Sequence, residues 1–398
     1  MDYRPSRTAV LVSLTAASIA LCVALLAPNL SRIHRFDNAD SLIPIFVSLD
    51  RWTPFYWGQA RFGMLVPLLA SVIRNPLLNL LFQTEANVVS SLISFVLLDR
   101  VVNSRPVDGW MRFARVCLAL SLWYIVVTDG PRLYHLVFLP GLPYSASLAL
   151  LLAALVSAGF ASALVKIGSP RFAGFAGLLF LALYVNEANF PVALLLVFAL
   201  PTDSKYQAVR RVAAAGVVIA AELLVRFISS YYGAPLSFRF APLAYLPDAV
   251  TATLDQLFDL LVSPSAAVVL GLLVVASVAL AFIFKRAGVK RQVLTLVAAG
   301  ITSVGVALVT TALEWTEHNL YDIRYWTTPV LLMLMCGTLF VASWLGNLPR
   351  TPLVAASCAL LLAGTSVYKF GMPSWKRMET SVLQATTYHQ PGLAALGL

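Results

Sequence analysis

A chain of 398 residues with 60% hydrophobic and only 12% charged side chains carries about half the charge of a soluble domain, where about 25% is usual. A mean hydropathy of +0.83, with apolar runs spread from residue 9 to residue 370, leaves no room for a sizeable soluble domain. The formal charge of +10 could suggest nucleic acid as a partner, but the Lys and Arg residues mostly flank hydrophobic runs, where they set topology and meet lipid headgroups.

Runs of about 17–25 apolar residues predict membrane-spanning helices. The first, 9–28, follows Arg4 and Arg7 and is long enough to span, so it is read as a retained helix rather than a removed leader. A long connection, 29–76, leads to spans at 77–99, 111–128 and 142–165. The next stretch, 172–201, is too long for one span and is interrupted by Tyr184, Asn186, Glu187, Asn189 and Pro191. Two shortened helices in a hairpin place those polar groups at one surface, where their backbone finds partners. Spans at 208–231, 264–285, 292–313, 325–345 and 351–370 bring the count to eleven. The expected architecture is therefore an all-α bundle in one transmembrane domain, 1–370. Its large outer loops are 29–76, 232–263 and 314–326, and a tail, 371–398, lies on the outer side.

The distribution of basic residues tests the count. With the N-terminus in the cytoplasm, 16 of the 28 basic residues fall on the inside: Arg4, Arg7, Arg100, Arg105, Arg112, Arg115, Lys166, Arg171, Lys205, Arg210, Arg211, Lys285, Arg286, Lys290, Arg291 and Arg350. Among the acids only Asp2, Asp99, Asp108 and Asp203 join them. A single span over 172–201 would send the basic loops 205–211 and 285–291 to opposite sides. Eleven spans keep them together. Short basic inner loops and a C-terminus outside fit an inner (plasma) membrane of bacterial type. Cys22, Cys117, Cys336 and Cys358 each sit inside an apolar run with neither metal-ligand spacing nor a disulfide setting, so they are expected to be small buried hydrophobes.

The polar chemistry collects on the outer side. All four histidines (His34, His135, His318 and His389) map there, as do Asp37, Asp40, Asp50, Glu187, Glu314, Glu317 and Asp322. Acid–base work is expected at that face. In RFDNAD, Asp37 and Asp40 follow the first helix closely. Carboxylates there suit a base toward an acceptor hydroxyl, or ligands of a divalent cation (Mg or Mn) beside a phosphate; alternatively Asp40 caps a helix beginning at Ser41. The apolar spacing of 248–262 predicts an interfacial helix. Arg61, Arg74, Arg132, Arg239 and Arg324 lie near span ends, where an arginine grips a lipid-linked phosphate through two parallel bonds or simply meets headgroups. Glu85 falls inside a span, and Glu222 and Arg226 are spaced to pair on another. There is no Walker loop, GxGxxG, HExxH or GxSxG, which disfavours an ATP-driven pump.

Asp37 and Asp40 in FDNAD, Arg324, Tyr325 and Pro329 in RYWTTP, and the short hairpin over 172–201 together resemble the GT-C class of membrane glycosyltransferases. Those enzymes carry an acidic residue in a first outer loop, then interfacial helices, and often an Arg-Tyr pair opening a late span. The resemblance covers most of the chain by order of elements, without a clear Asp-x-Asp and without a large soluble C-terminal domain. It implies sugar transfer from a polyprenyl-phosphate donor to a glycan or lipid acceptor at the outer face. Asp40 or Asp37 would be the base. Arg324 with Tyr325, and Arg61 or Arg132 on chemical grounds, would bind the lipid phosphate, with His135, Glu187, Glu317 and His318 as further binding candidates. Tyr56, Trp57, Trp315 and Trp326 would stack on a sugar. An O-antigen-type polymerase or ligase, or a lipid-linked glycan transporter or flippase, are the alternative readings.

Overall fold

The structure is a computed structural model that describes residues 6–32, 39–55, 63–102, 108–129, 137–138, 143–158, 166–187, 189–199, 205–232, 247, 251, 327–344, 351–374 and 376. Among these the fold is helical, with one isolated antiparallel bridge between Phe55 and Gly63. The helices are α1 (Arg7–Arg32), α2 (Ala39–Leu49), α3 (Leu65–Ala70), α4 (Pro76–Val102), α5 (Gly109–Asp129), α6 (Tyr144–Ser157), α7 (Pro170–Val185), α8 (Asn189–Ala199), α9 (Lys205–Tyr232), α10 (Thr327–Trp344) and α11 (Pro352–Phe370). Among the described residues, five segments are long and apolar enough to cross a membrane: Arg7–Leu30, Pro76–Arg100, Gly109–Thr128, Val209–Tyr232 and Pro352–Phe370. The chain is a helical membrane protein.

Local sequence explains where several helices start. Asn75, Ser169 and Thr351 each precede a proline at the first helical position, where a missing N–H costs nothing. Asn75 Oδ1 accepts from the N–H of Leu77 and Leu78, both at 3.0 Å. Ser169 Oγ accepts from Phe172 N and Thr351 Oγ1 from Val354 N, each at 3.3 Å. Asp108 does the same for α5 through Trp110 N at 3.1 Å. Gly371 closes α11 with φ of 96°, a backbone state that suits glycine.

Helix association in lipid depends on close packing and interhelical bonds rather than on expulsion from water. The broadest interface joins α1 to α11. Ala17, Ala20, Ala24 and Ala27 line the buried face of α1, and Ala355, Ala356 and Ala359 are buried on α11. Pro28 lies inside α1, so the carbonyl four residues earlier, that of Ala24, has no helical N–H to accept. Tyr124 Oη of α5 donates to it at 3.1 Å and Ser366 Oγ of α11 at 2.9 Å. A defect in one helix thus becomes the junction of three. Tyr124 also stands edge-on to Phe370, ring centroids 5.2 Å apart, and both neighbour Phe138. Outward faces are apolar, with Leu11, Ile19, Leu223, Phe227, Leu360 and Leu361 all exposed, the pattern of lipid contact.

Helix direction follows from which ends meet. At one end Asp99 of α4, fully buried, receives Arg112 Nε and Arg115 Nη2 of α5, each at 3.0 Å. At the other end Asn186, after α7, donates to Thr328 of α10, and Asn189, opening α8, donates to Ser147 of α6. Arg226, late in α9, lies within electrostatic reach of Glu187, so α9 returns to the end at which α8 begins. The two ends are called the Asp99 end and the Asn186 end below.

Several expectations meet the structure directly. The interruption of 172–201 falls between Val185 and Asn189, although Tyr184 belongs to the last turn of α7 and Asn189 and Pro191 to the first turn of α8. Arg226 Nε donates to Glu222 Oε1 at 2.7 Å, the expected pair. Helix α2 begins at Ala39, so Asp40 sits in its first turn instead of capping a helix from Ser41. Three cysteines are buried, but Cys22 faces outward, because it lies off the alanine stripe of α1. Pro247 and Thr251 are helical; the remainder of 248–262 and the expected spans 264–285 and 292–313 lie outside the described residues.

Candidate functional site

The Asn186 end gathers several buried polar side chains and Glu187, on a frame built by α4. Asn79 and Gln83 stand one turn apart on that helix and share a face. Asn79 Nδ2 donates to Ala70 O at 2.9 Å and Ile73 O at 3.0 Å, holding the end of α3. Its Oδ1 accepts from Ser48 Oγ of α2 at 2.9 Å and from Gln83 Nε2 at 2.6 Å. Gln83 Nε2 also reaches Pro44 O and Ser48 Oγ, both at 3.3 Å. Arg74 donates to Leu49 O at 3.1 Å, at the last residue of α2.

Beyond α2 the chain folds onto the α7–α8 turn. Trp52 Nε1 donates to Met64 O at 2.8 Å, and Met64 N donates to Pro54 O at 2.9 Å, closing the loop on itself. Gly63 N donates to Tyr184 O at 2.8 Å, and the Tyr184 hydroxyl donates to Pro54 O. Phe55 stands edge-on to the Tyr184 ring at 5.3 Å. A β-carbon at position 63 would run into the Tyr184 carbonyl and come within 2.7 Å of its ring. Only glycine permits this approach.

Immediately after Tyr184, Asn186 Nδ2 donates to Thr328 Oγ1 at 3.2 Å, both residues buried. Asn189 Nδ2 donates to Ser147 Oγ at 2.7 Å, leaving Asn189 Oδ1 buried with no hydrogen-bond partner. Half-buried Glu187 lies between these two asparagines. The turn therefore presents a carboxylate beside fixed amides and the Arg226–Glu222 pair. Such a set can accept hydroxyl hydrogens and hold an arginine or a cationic group.

A second polar group lies one to two turns into the bundle. Glu85 of α4 faces the Asn29 side chain of α1, yet Glu85 Oε1 and both amide atoms of Asn29 make no well-formed hydrogen bond. Buried donors and acceptors left in that state are uncommon and costly. Tyr124 lies within electrostatic range of Glu85.

The predicted site residues are distributed as follows. Asp40 is in the first turn of α2, with its side chain outside the description, and Glu187 is in the α7–α8 turn. Asp37, Arg61, Arg132, His135, Glu317, His318, Arg324 and Tyr325 lie outside the described residues, as do Tyr56, Trp57, Trp315 and Trp326. Described neighbours of most of them, Ala39, Gly63, Asp129 and Thr328, belong to the Asn186 end. Among the described residues no three His, Cys, Asp or Glu side chains converge as metal ligands; the carboxylates of Asp37 and Asp40 are not in that set. Sequence reasoning passed over Asn29, Ser48, Asn79, Gln83 and Gly63. Two amides one turn apart in a span, Asn79 and Gln83, were the available signal, since polar groups inside a bilayer need a reason. No protein-family model matches the chain, and no curated protein is significantly similar to it.

Proposed function

We propose that the chain is a membrane glycosyltransferase of GT-C type, with eleven spans, its N-terminus in the cytoplasm and the Asn186 end facing outward in a bacterial inner membrane. One observation carries this reading. The loop after α2 docks on Tyr184 while Asn186 bonds to Thr328, so the helix bearing Asp40, the Glu187 turn and the start of α10 meet at one end. Arg324 and Tyr325 precede α10 by two and one residues beyond Trp326 in RYWTTP.

In the proposed reaction the acceptor hydroxyl attacks the anomeric carbon of a polyprenyl-phosphate-linked sugar. Its proton passes to Asp40 or Asp37 acting as base. The bond from the anomeric carbon to the phosphate oxygen breaks, and polyprenyl phosphate leaves. Arg324, with Arg61 or Arg132, neutralises the charge that grows on that phosphate. Tyr325, His135, Glu187, Glu317 and His318 line the donor or acceptor. If the reaction uses Mg or Mn, Asp37 and Asp40 are the carboxylates that would hold it.

The test is made in the source strain lacking the native gene, complemented by Asp37→Asn or Asp40→Asn protein at wild-type level. Mass spectrometry of surface glycans and lipid-linked sugars should show one sugar missing, with its lipid-linked donor accumulating. Full activity in both variants would remove the base and shift the assignment to a polymerase or ligase. A transporter or flippase has one observation in its favour, the polar break between α7 and α8. Loss of such a transporter would leave the completed lipid-linked glycan trapped on the inner leaflet.

A further inference from the structure

We propose that Asn79 and Gln83 are positioning residues, which set the depth and tilt of α2 and through it the placement of Asp40; the inference rests on the transferase reading above. Helix α2 has 11 residues, too few to be stable alone. It also carries Pro44, which removes the N–H that would have bonded to the Asp40 carbonyl. The Asp40 carbonyl therefore lacks its helical donor, so this turn is held by one backbone bond fewer and gains from support outside the helix.

Asn79 and Gln83 supply that support. Gln83 Nε2 reaches the Pro44 carbonyl at 3.3 Å, one turn after Asp40. Asn79 spends both N–H groups on α3 and the turn after it, at 2.9 and 3.0 Å. Its carbonyl receives Ser48 and Gln83 at 2.9 and 2.6 Å, so its hydrogen-bonding capacity is full. The single Ser48 hydroxyl hydrogen is shared between Asn79 Oδ1 and Ile45 O, the latter at 2.8 Å, tying the node into the α2 backbone. Asn79, Gln83 and Ser48 are all at most 3% exposed. Of their side-chain polar atoms only Gln83 Oε1 makes no hydrogen bond among the described residues, and at that burial water does not readily replace a lost bond, so the network favours one arrangement of α2. Apolar residues at 79 and 83 would pack as well but impose no register. The amides do.

The experiment uses the full-length protein in nanodiscs, with lipid extract from the gene-deleted strain as the source of accumulated donor. Gln83→Leu and Asn79→Leu are assayed alone and in an Asp40→Asn background. For Gln83→Leu we expect an apparent KM for the extract within twofold of wild type and kcat lowered on the order of 10- to 100-fold, the scale of a misplaced reacting group. In the Asp40→Asn background we expect no further loss, because residues acting as one unit are not additive. A multiplicative loss in the double variant would overturn the proposal. Where Asp40→Asn activity is too low to measure, amide hydrogen exchange over 39–49 decides. It should quicken in both leucine variants while exchange in 88–100 of α4 stays as in wild type. Unchanged exchange in α2 would also overturn it. Full activity of Asp40→Asn alone would remove Asp40 as the base and with it this proposal, whereas full activity of Asp37→Asn as well would sink the transferase reading, whatever α2 does.

Discussion

At the scale of single residues, two carboxylates on one helix, Asp99 buried and Glu85 half-buried, stand in opposite circumstances. Asp99 is clasped by Arg112 and Arg115; Glu85 faces the Asn29 amide, and its buried Oε1 has no hydrogen-bond partner among the described residues. Removing one partner of a buried pair strands the other charge, at about 3–5 kcal/mol, whereas an uncompensated buried group loses little when replaced by a neutral one of the same shape. Asp99→Asn should therefore lower thermal stability sharply in nanodiscs, measured by intrinsic fluorescence, and Glu85→Gln should leave it equal or higher. A large destabilisation by Glu85→Gln would mean that the carboxylate has a compensating partner. Gly63 offers a sharper case, since a single methyl would strike the Tyr184 carbonyl. Gly63→Ala should undock the loop and give faster amide exchange over 52–55 than Tyr184→Phe. The latter loses one hydrogen bond, about 1 kcal/mol.

At the scale of elements, the Pro28 defect in α1 predicts an unusual form of redundancy. The Ala24 carbonyl needs one donor and has two, so Tyr124→Phe or Ser366→Ala alone should each cost less than about 1 kcal/mol of unfolding free energy. The double variant leaves the carbonyl bare, so its cost should exceed the sum; simple additivity in chemical unfolding would refute this. These elements differ in how far the sequence announces them. Apolar length places α4 at 76–102 against an expected 77–99, and α5 at 109–129 against 111–128, because lipid imposes a minimum span. Asn186, Glu187 and Asn189 mark the α7–α8 break for the same reason in reverse. The tie between Gly63 and Tyr184 crosses 121 residues of chain, and no periodicity encodes it. Likewise, Asn79 and Gln83 read only as two amides near the start of a span until α2 and α3 are folded around them. Span lengths are local quantities, whereas the site is assembled by contacts distant in sequence.

At the scale of the whole molecule, the alternation of helix ends places Asp50 and Lys166, both exposed, on opposite sides of the bundle. Under the proposed orientation, with Cys22 replaced by Ser, a membrane-impermeant maleimide should label Asp50→Cys in intact spheroplasts. Lys166→Cys should react only after lysis. The converse pattern would invert the protein and move the candidate chemistry to the cytoplasm. Both positions flank elements whose directions follow from side-chain ties: the Arg74–Leu49 bond near Asp50 and the Ser169 cap near Lys166.

The pairing of α1 with α11 also governs how the protein is made. Helix α1 leaves the ribosome before α11, and the partner for its alanine face comes about 320 residues later. At about 5–20 residues per second of synthesis, α1 waits roughly 15–60 s in the bilayer with Ala17, Ala20, Ala24 and Ala27 open to other helices and the Ala24 carbonyl without its Ser366 donor. During that interval the nascent chain is a substrate for membrane chaperones and quality-control proteases, and its vulnerability ends only when the last described helix inserts.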